Sequence, residues 1–190
     1  MIKKLIPDYY YKSVYEIPYQ KLYDEGKRLI MADMDNTLIS YKETLPSEEL
    51  LELKKKIEAI GFEIIVVSNS RKNRVDNFSK AFGVNYQKFS TKPLKRGIKR
   101  AMKKVAKKQY KREECILLGD QLMTDVYGGK RCKLTVILVE AIDKKTDIGP
   151  TRFNRKLEKF FLKRIKKKYP DLYNEKLKDY GGDLIDNKKM

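Results

Sequence analysis

The sequence predicts an α/β protein, a mostly parallel, Rossmann-like sheet with helices on both faces. Three observations lead there. Short runs rich in Ile, Val and Leu recur at residues 28–32, 62–67, 115–119 and 134–139, as in strands buried on both faces. The segments between them repeat apolar residues at helical spacing, and strand alternating with helix gives a parallel sheet. Each of the first three runs also ends in acids or hydroxyls, and ligands of such sheets gather at the carboxyl ends of strands.

Taken in order, residues 1–28 form a Tyr-rich segment expected to pack on the core. The apolar start "MIKKLIPDYYYK" breaks at Pro7 and Asp8, which excludes a secretory core or a spanning helix and predicts a cytoplasmic protein. Pro18 interrupts the Tyr11, Tyr15, Tyr19 spacing and starts a short helix that ends near Gly26. Core packing of the tyrosines competes with a second reading, Tyr9, Tyr10 and Tyr11 at a membrane interface. Residues 29–150 read as the core. Leu50, Leu53, Ile57 and Ile60 predict a helix opened by Pro46 and Ser47 and stopped by Gly61. Val75, Phe78 and Phe82 predict a second before Gly83, and Leu94, Ile98, Ala101 and Val105 a third. Residues 151–190 read as a basic amphipathic helix and tail.

Composition removes whole classes of chemistry. The 190 residues contain no histidine, so zinc sites built on His, histidine bases and Ser-His-Asp triads are excluded. Cys115 and Cys132 have no metal-ligand spacing and read as reduced thiols. Neither a GxxxxGK[ST] loop nor a GxGxxG is present. The net charge of +18 is concentrated: residues 92–112 carry eleven Lys/Arg and no acid, and residues 152–168 carry nine against Glu158. An excess so placed invites an anionic partner.

The chemistry-bearing residues follow the apolar runs. Asp33 and Asp35 end the first; their like charges repel unless a cation or a shared proton relieves them. Asp120 and Asp125, after the third, complete an oxygen-rich set suited to Mg²⁺. Ser68, the backbone around Asn69, and Lys92 supply donors for a phosphoryl dianion, with Lys95 an alternative to Lys92.

The order of these motifs resembles the haloacid-dehalogenase (HAD) superfamily. "DMDNT" matches its nucleophile motif, "VVSNS" its second, Lys92-Pro93 its third and "LLGDQLMTD" its acidic fourth. The phrases "SNSRKNRV", "KPLKRGIKRA", "GDQLMTDVYGGKR" and "TRFNRKLEK" look like the YqeG-type subfamily, which includes phosphatidylglycerophosphate phosphatases. The resemblance implies that Asp33 attacks phosphorus and Asp35 acts as acid and base. It also implies that Mg²⁺ binds Asp33, the Asp35 carbonyl, Asp120 and, through water, Asp125. Ser68, Asn69 and Lys92 would hold the phosphoryl group, and Thr37 would order the loop.

Spacing then addresses the substrate. Members of this superfamily often insert a cap domain between these motifs. Only 34 residues lie between Asp33 and Ser68, room for one helix and one strand, and only 23 between Ser68 and Lys92, so neither span has room for a cap. A capless site suits a phosphate carried on something large. In residues 151–169, Phe153, Leu157, Phe160, Phe161 and Ile165 form a stripe among basic residues, either an interfacial helix on an anionic membrane or a stripe docked on the core. With what the resemblance implies, the expected function is a Mg²⁺-dependent phosphatase on a lipid head group, phosphatidylglycerophosphate, peripheral to the membrane. The alternatives are a soluble, protein or nucleic-acid phosphomonoester as substrate, or a basic RNA- or ribosome-binding module with a relic site.

Overall fold

A computed structural model describes residues 2–70, 73–147 and 149–180. One six-stranded sheet organises the chain: β1 (Tyr9–Tyr11), β2 (Leu29–Ala32), β3 (Glu63–Val67), β4 (Asn85–Gln87), β5 (Cys115–Gly119) and β6 (Thr135–Val139). The order is β1-β6-β5-β2-β3-β4, and all the pairings are parallel. The four apolar runs become β2, β3, β5 and β6. The edge strands β1 and β4 were not expected, because they are three residues long and only half buried, so neither leaves an apolar run. Tyr9, Tyr10 and Tyr11 thus pair with Ile137, Leu138 and Val139 at a sheet edge.

Alternation along the central strands explains why both faces are covered. Ile30 and Ala32 point to one side, where α1 (Tyr19–Asp24), α2 (Glu48–Ile60) and α3 (Asn73–Phe82) contribute Leu22, Leu50, Ile57, Val75, Phe78 and Phe82. Leu29 and Met31 point to the other, against Ile98 of α4 (Lys95–Arg100) and Cys132 of α5 (Tyr127–Cys132). The predicted caps are present: the Ser47 hydroxyl accepts from Leu50 N–H, and Gly61 closes α2 at φ 115°, where a side chain would be strained. The span between Asp33 and Ser68 holds α2 and β3; among the described residues, the span to Lys92 holds α3 and β4.

The carboxyl-terminal helix α6 (Gly149–Lys168) corrects the predicted stripe. Its buried positions are Thr151, Arg155, Glu158, Leu162 and Ile165, whereas Phe153 and Phe160 are 62% and 51% exposed. Ile165 of the predicted stripe is buried and Phe161 packs partly against the core, so the inward face is offset from the stripe, because Arg155 and Glu158 occupy positions that hydropathy assigns to solvent. Leu162 and Ile165 pack on Val136 and Leu138 of β6, joined by Tyr173 of α7 (Pro170–Lys176). Residues 181–190, the predicted tail, lie outside the described residues. No described helix is long and apolar enough to cross a membrane.

Candidate active site

Strand order places the site. The chain builds outward from β2 to β3 and β4, then returns to build β5 and β6 on the other side of β2. The direction reverses between β2 and β5, and a crevice opens beyond their carboxyl ends. Asp33 follows β2 and Asp120 follows β5, and the Asp33 N–H donates to the Leu118 carbonyl at 2.8 Å. Two acids far apart in sequence are thereby brought to one point.

The loop after β2 turns sharply. The Asn36 backbone takes φ 59°, a conformation that Asn tolerates, and the Asn36 N–H donates to the Ile39 carbonyl at 2.7 Å. Its side chain donates to Asp147 at 2.7 Å, and the Thr37 hydroxyl donates to Asp120 at 3.3 Å. Thr37 therefore ties the first acidic loop to the second. The aspartates diverge. Asp33 lies 2.7 Å from the Lys92 ammonium, while Asp35 pairs with Arg74 of α3.

Carboxylate oxygens of Asp33, Asp120 and Asp125 lie within 4.8 Å of one another, all three buried. Lys92 Nζ lies between Asp33 and Asp125, 2.7 and 2.8 Å away. Burial favours a lower pKa for the Lys92 ammonium, yet Asp125 and Asp33 outweigh it and hold it raised. Burial pushes the Asp33 carboxyl well above its ordinary value; Lys92 opposes this, and Asp125, Asp120 and Asp35 add to it. Burial likewise pushes Asp120 up to about 7, against the pull of Arg155. Lys92 and Arg155 bring two positive charges to three acids, so the cluster still holds either a proton or a further cation. Three buried hard oxygen donors within 4.8 Å of one another suit a divalent metal.

Lys92 and not Lys95 reaches this point: Lys92 is buried and Lys95 exposed. Asn69 holds it there, accepting from the Lys92 N–H at 2.7 Å and donating to the Lys92 carbonyl at 3.0 Å. Ser68 is fully buried and its hydroxyl accepts from the Ser70 N–H at 3.1 Å. Asn69 and Ser70, rather than Ser68, line the cleft beside Asp33, Asp35 and Lys92.

Sequence reasoning missed several residues of the site. Arg74, Tyr41, Thr151 and Asn154 line the cleft, around about 740 Å³, with the Tyr41 hydroxyl 3.1 Å from that of Thr151. Arg74 is fixed by Asp35 and by the Glu43 and Ser40 carbonyls, at 2.6 and 2.5 Å. Arg155, expected on a solvated basic face, is the buried hub behind Asp120. It pairs with the Asp120 carboxylate, donates to the Asp120 carbonyl at 2.7 Å, and reaches Asp147 and Glu158 at 3.2 and 3.3 Å. Tyr180 OH lies 3.0 Å from Glu158 and 3.1 Å from the Asp120 carbonyl. One signal was available: Glu158 is the single acid in its basic run and stands three residues from Arg155, the spacing of facing helical neighbours.

A family model described as HAD-hydrolase-like matches residues 90–149. Among solved structures, magnesium-bound YfnB of Bacillus subtilis aligns over 51% of this chain and 45% of its own, at 15% identity and a TM-score of 0.43. An uncharacterized protein from Listeria monocytogenes serotype 4b aligns over 64% of this chain and 82% of its own, at 16% identity and a TM-score of 0.45. The probable phosphatase YqeG of Bacillus subtilis (strain 168) is 33% identical over 169 residues, 88% of this chain and 96% of that protein. With that identity sustained over nearly the whole of both chains, the protein belongs to the YqeG family of HAD phosphatases.

Proposed function

We propose that the protein hydrolyses a phosphomonoester on a lipid head group, phosphatidylglycerophosphate, with Mg²⁺ and an aspartyl-phosphate intermediate. The observation that carries the catalytic reading is the buried Asp33, Asp120, Asp125 cluster with the Lys92 ammonium inside it. In the first step an Asp33 carboxylate oxygen attacks phosphorus and the ester P–O bond breaks. Asp35, on the cleft wall, gives its proton to the departing oxygen. In the second step Asp35 takes a proton from water, the water oxygen attacks the acyl phosphate, and phosphate leaves with Asp33 regenerated. Lys92, held by Asn69, stabilises the phosphoryl oxygens, with Ser68 supporting the turn that carries Ser70. Asp33, Asp120, Asp125 and the Asp35 carbonyl would hold Mg²⁺, which when bound offsets negative charge on the phosphoryl group.

Metal and proton compete for the same carboxylates, which gives a stability prediction. In metal-free protein the folded pKa of Asp120 lies near 7 against an ordinary 3.8. A raised folded value means the native state keeps a proton that the unfolded state releases. This contribution is full below 3.8 and is lost as pH rises to about 7, at about 1.4 kcal/mol per pH unit. Asp33 acts in the same direction. Added Mg²⁺ is therefore expected to raise the melting temperature little at pH 4 and progressively more toward pH 7. Thermal melts with EDTA and with Mg²⁺ across that range check it; an increment independent of pH would rule out the shared site.

The open cleft and the missing cap leave the acids accessible to a phosphate on a large carrier, and the resemblance to the YqeG-type subfamily supports a lipid as that carrier. Turnover of phosphatidylglycerophosphate in mixed micelles is expected to exceed that of soluble glycerophosphate and of a terminal-phosphate oligonucleotide by at least about tenfold, the effect of one remote binding contact. Equal turnover of all three would remove the lipid reading and leave the phosphatase.

A further inference from the structure

Large exposed apolar side chains are not scattered evenly over this molecule. Among the described residues there are seven, and six belong to segments that leave the carboxyl ends of strands. Tyr15 joins β1 to α1, and Leu45 joins β2 to α2. Phe89 and Leu94 lie between β4 and α4, Ile142 between β6 and α6, and Phe153 near the start of α6. Leu45 and Phe153 are the most exposed, at 58% and 62%. None stands in the described segments that enter the strands at the opposite edge. The sheet runs β1-β6-β5-β2-β3-β4, so these residues accompany its whole width, about 24 Å at the usual strand spacing. The catalytic cleft opens at the same edge.

The same segments carry exposed Lys42, Lys95, Arg96, Lys145 and Arg152. Acids are present too: Glu16 and Glu43 are exposed, and Asp143 and Glu140 are ion-paired to Lys42 and Lys144, which leaves Lys95, Arg96, Lys145 and Arg152 as the basic excess of the rim. Single apolar side chains set among cations suit a surface that each can enter independently. A protein partner favours a contiguous packed patch. A nucleic-acid backbone gains nothing from the aliphatic Leu45, Leu94 and Ile142. An anionic bilayer rewards both components.

We infer that the carboxyl edge of the sheet is a membrane-docking surface, which seats the mouth of the cleft end-on against an anionic bilayer. This rests on the lipid reading of the substrate and goes beyond it by naming the face. It also differs from a helix laid flat on the membrane. The inward face of α6 is taken up by Thr151, Arg155, Glu158, Leu162 and Ile165, and only the Phe153 end of its exposed side is near the cleft. Phe160 lies about 10 Å further along the helix.

The test is sedimentation of the full chain with phosphatidylglycerol–phosphatidylcholine vesicles, and with phosphatidylcholine alone, at low salt. The wild type is expected on the anionic vesicles and not on the neutral ones. Leu45→Asp and Phe153→Asp are each expected to lower partitioning about tenfold, and Phe160→Asp less than twofold. All three variants are expected to hydrolyse an aryl phosphate at the wild-type rate, which separates loss of docking from loss of catalysis. Loss in Phe160→Asp with Leu45→Asp unchanged would overturn the end-on surface in favour of the helix flank. Equal binding by all variants would reduce the contact to charge alone. Displacement from vesicles by a short oligonucleotide, equal in wild type and rim variants, would assign the surface to nucleic acid. Docking without aryl-phosphate turnover would refute the catalytic reading and leave the surface standing.

Discussion

Asp33→Asn is expected to abolish phosphate release from an aryl phosphate, by on the order of 10⁴-fold or more, while the fold holds or gains stability. The amide matches the carboxyl in size but cannot attack phosphorus. Asp33 is buried with its ionised form disfavoured by three neighbouring acids, so a neutral group at this position relieves repulsion in the metal-free protein. Lys92 keeps its contact with Asp125 at 2.8 Å. Two measurements separate these effects. Acid quench of the wild type during turnover with labelled substrate should trap phosphate on the protein, and the variant should trap none. Thermal melts in EDTA should show the variant at or above the wild type. A fully active variant would remove Asp33 as nucleophile; an inactive variant with a collapsed melting temperature would make the residue structural.

Arg155→Met is expected to destabilise the protein by about 3–5 kcal/mol, the usual consequence of stripping a buried counterion. The guanidinium is the shared partner of Asp120, Asp147 and Glu158, and its loss leaves three buried carboxylates with reduced compensation. For a chain of 190 residues this corresponds to a fall of about 10 °C in melting temperature. Arg155→Lys restores the charge but not the planar fork, so only part of the loss should return. Metal affinity should weaken as well, because Arg155 holds both the carboxylate and the carbonyl of Asp120. Urea unfolding measures the first effect, and Mn²⁺ titration followed by paramagnetic resonance the second. A loss below about 1 kcal/mol would show that the three acids are protonated in the fold and need no counterion.

Neighbouring residues along the chain carried some of this arrangement, and distant ones carried the rest. Apolar runs such as "CILLG" match the structural strand end to end, because burial on both faces leaves a local signature. The edge strands "YYY" and "NYQ" do not, since half their surface faces solvent. Asp33 and Asp120 were legible because each directly follows a strand, Asp35 and Asp125 because they stand within a few residues of those two, and Lys92 because a proline follows it. Arg74 and Arg155 were not. An arginine that serves a site looks like a surface arginine until its partner is known, and these partners lie 39 and 35 residues away.

The sequence by itself determined the α/β class, the four central strands and the positions of the motif residues at their carboxyl ends, because hydrophobic alternation and caps act over a few residues. The tertiary structure alone decided which cation each acid meets. Asp33 and Asp125 share Lys92, Asp35 takes Arg74, and Asp120 rests on Arg155 beneath α6. It also decided that the inward face of α6 carries Arg155 and Glu158 beside Leu162 and Ile165. The reason is common to both: burial makes a charge depend on the few groups within about 4 Å, and only folding brings residues from different strands and helices to that distance.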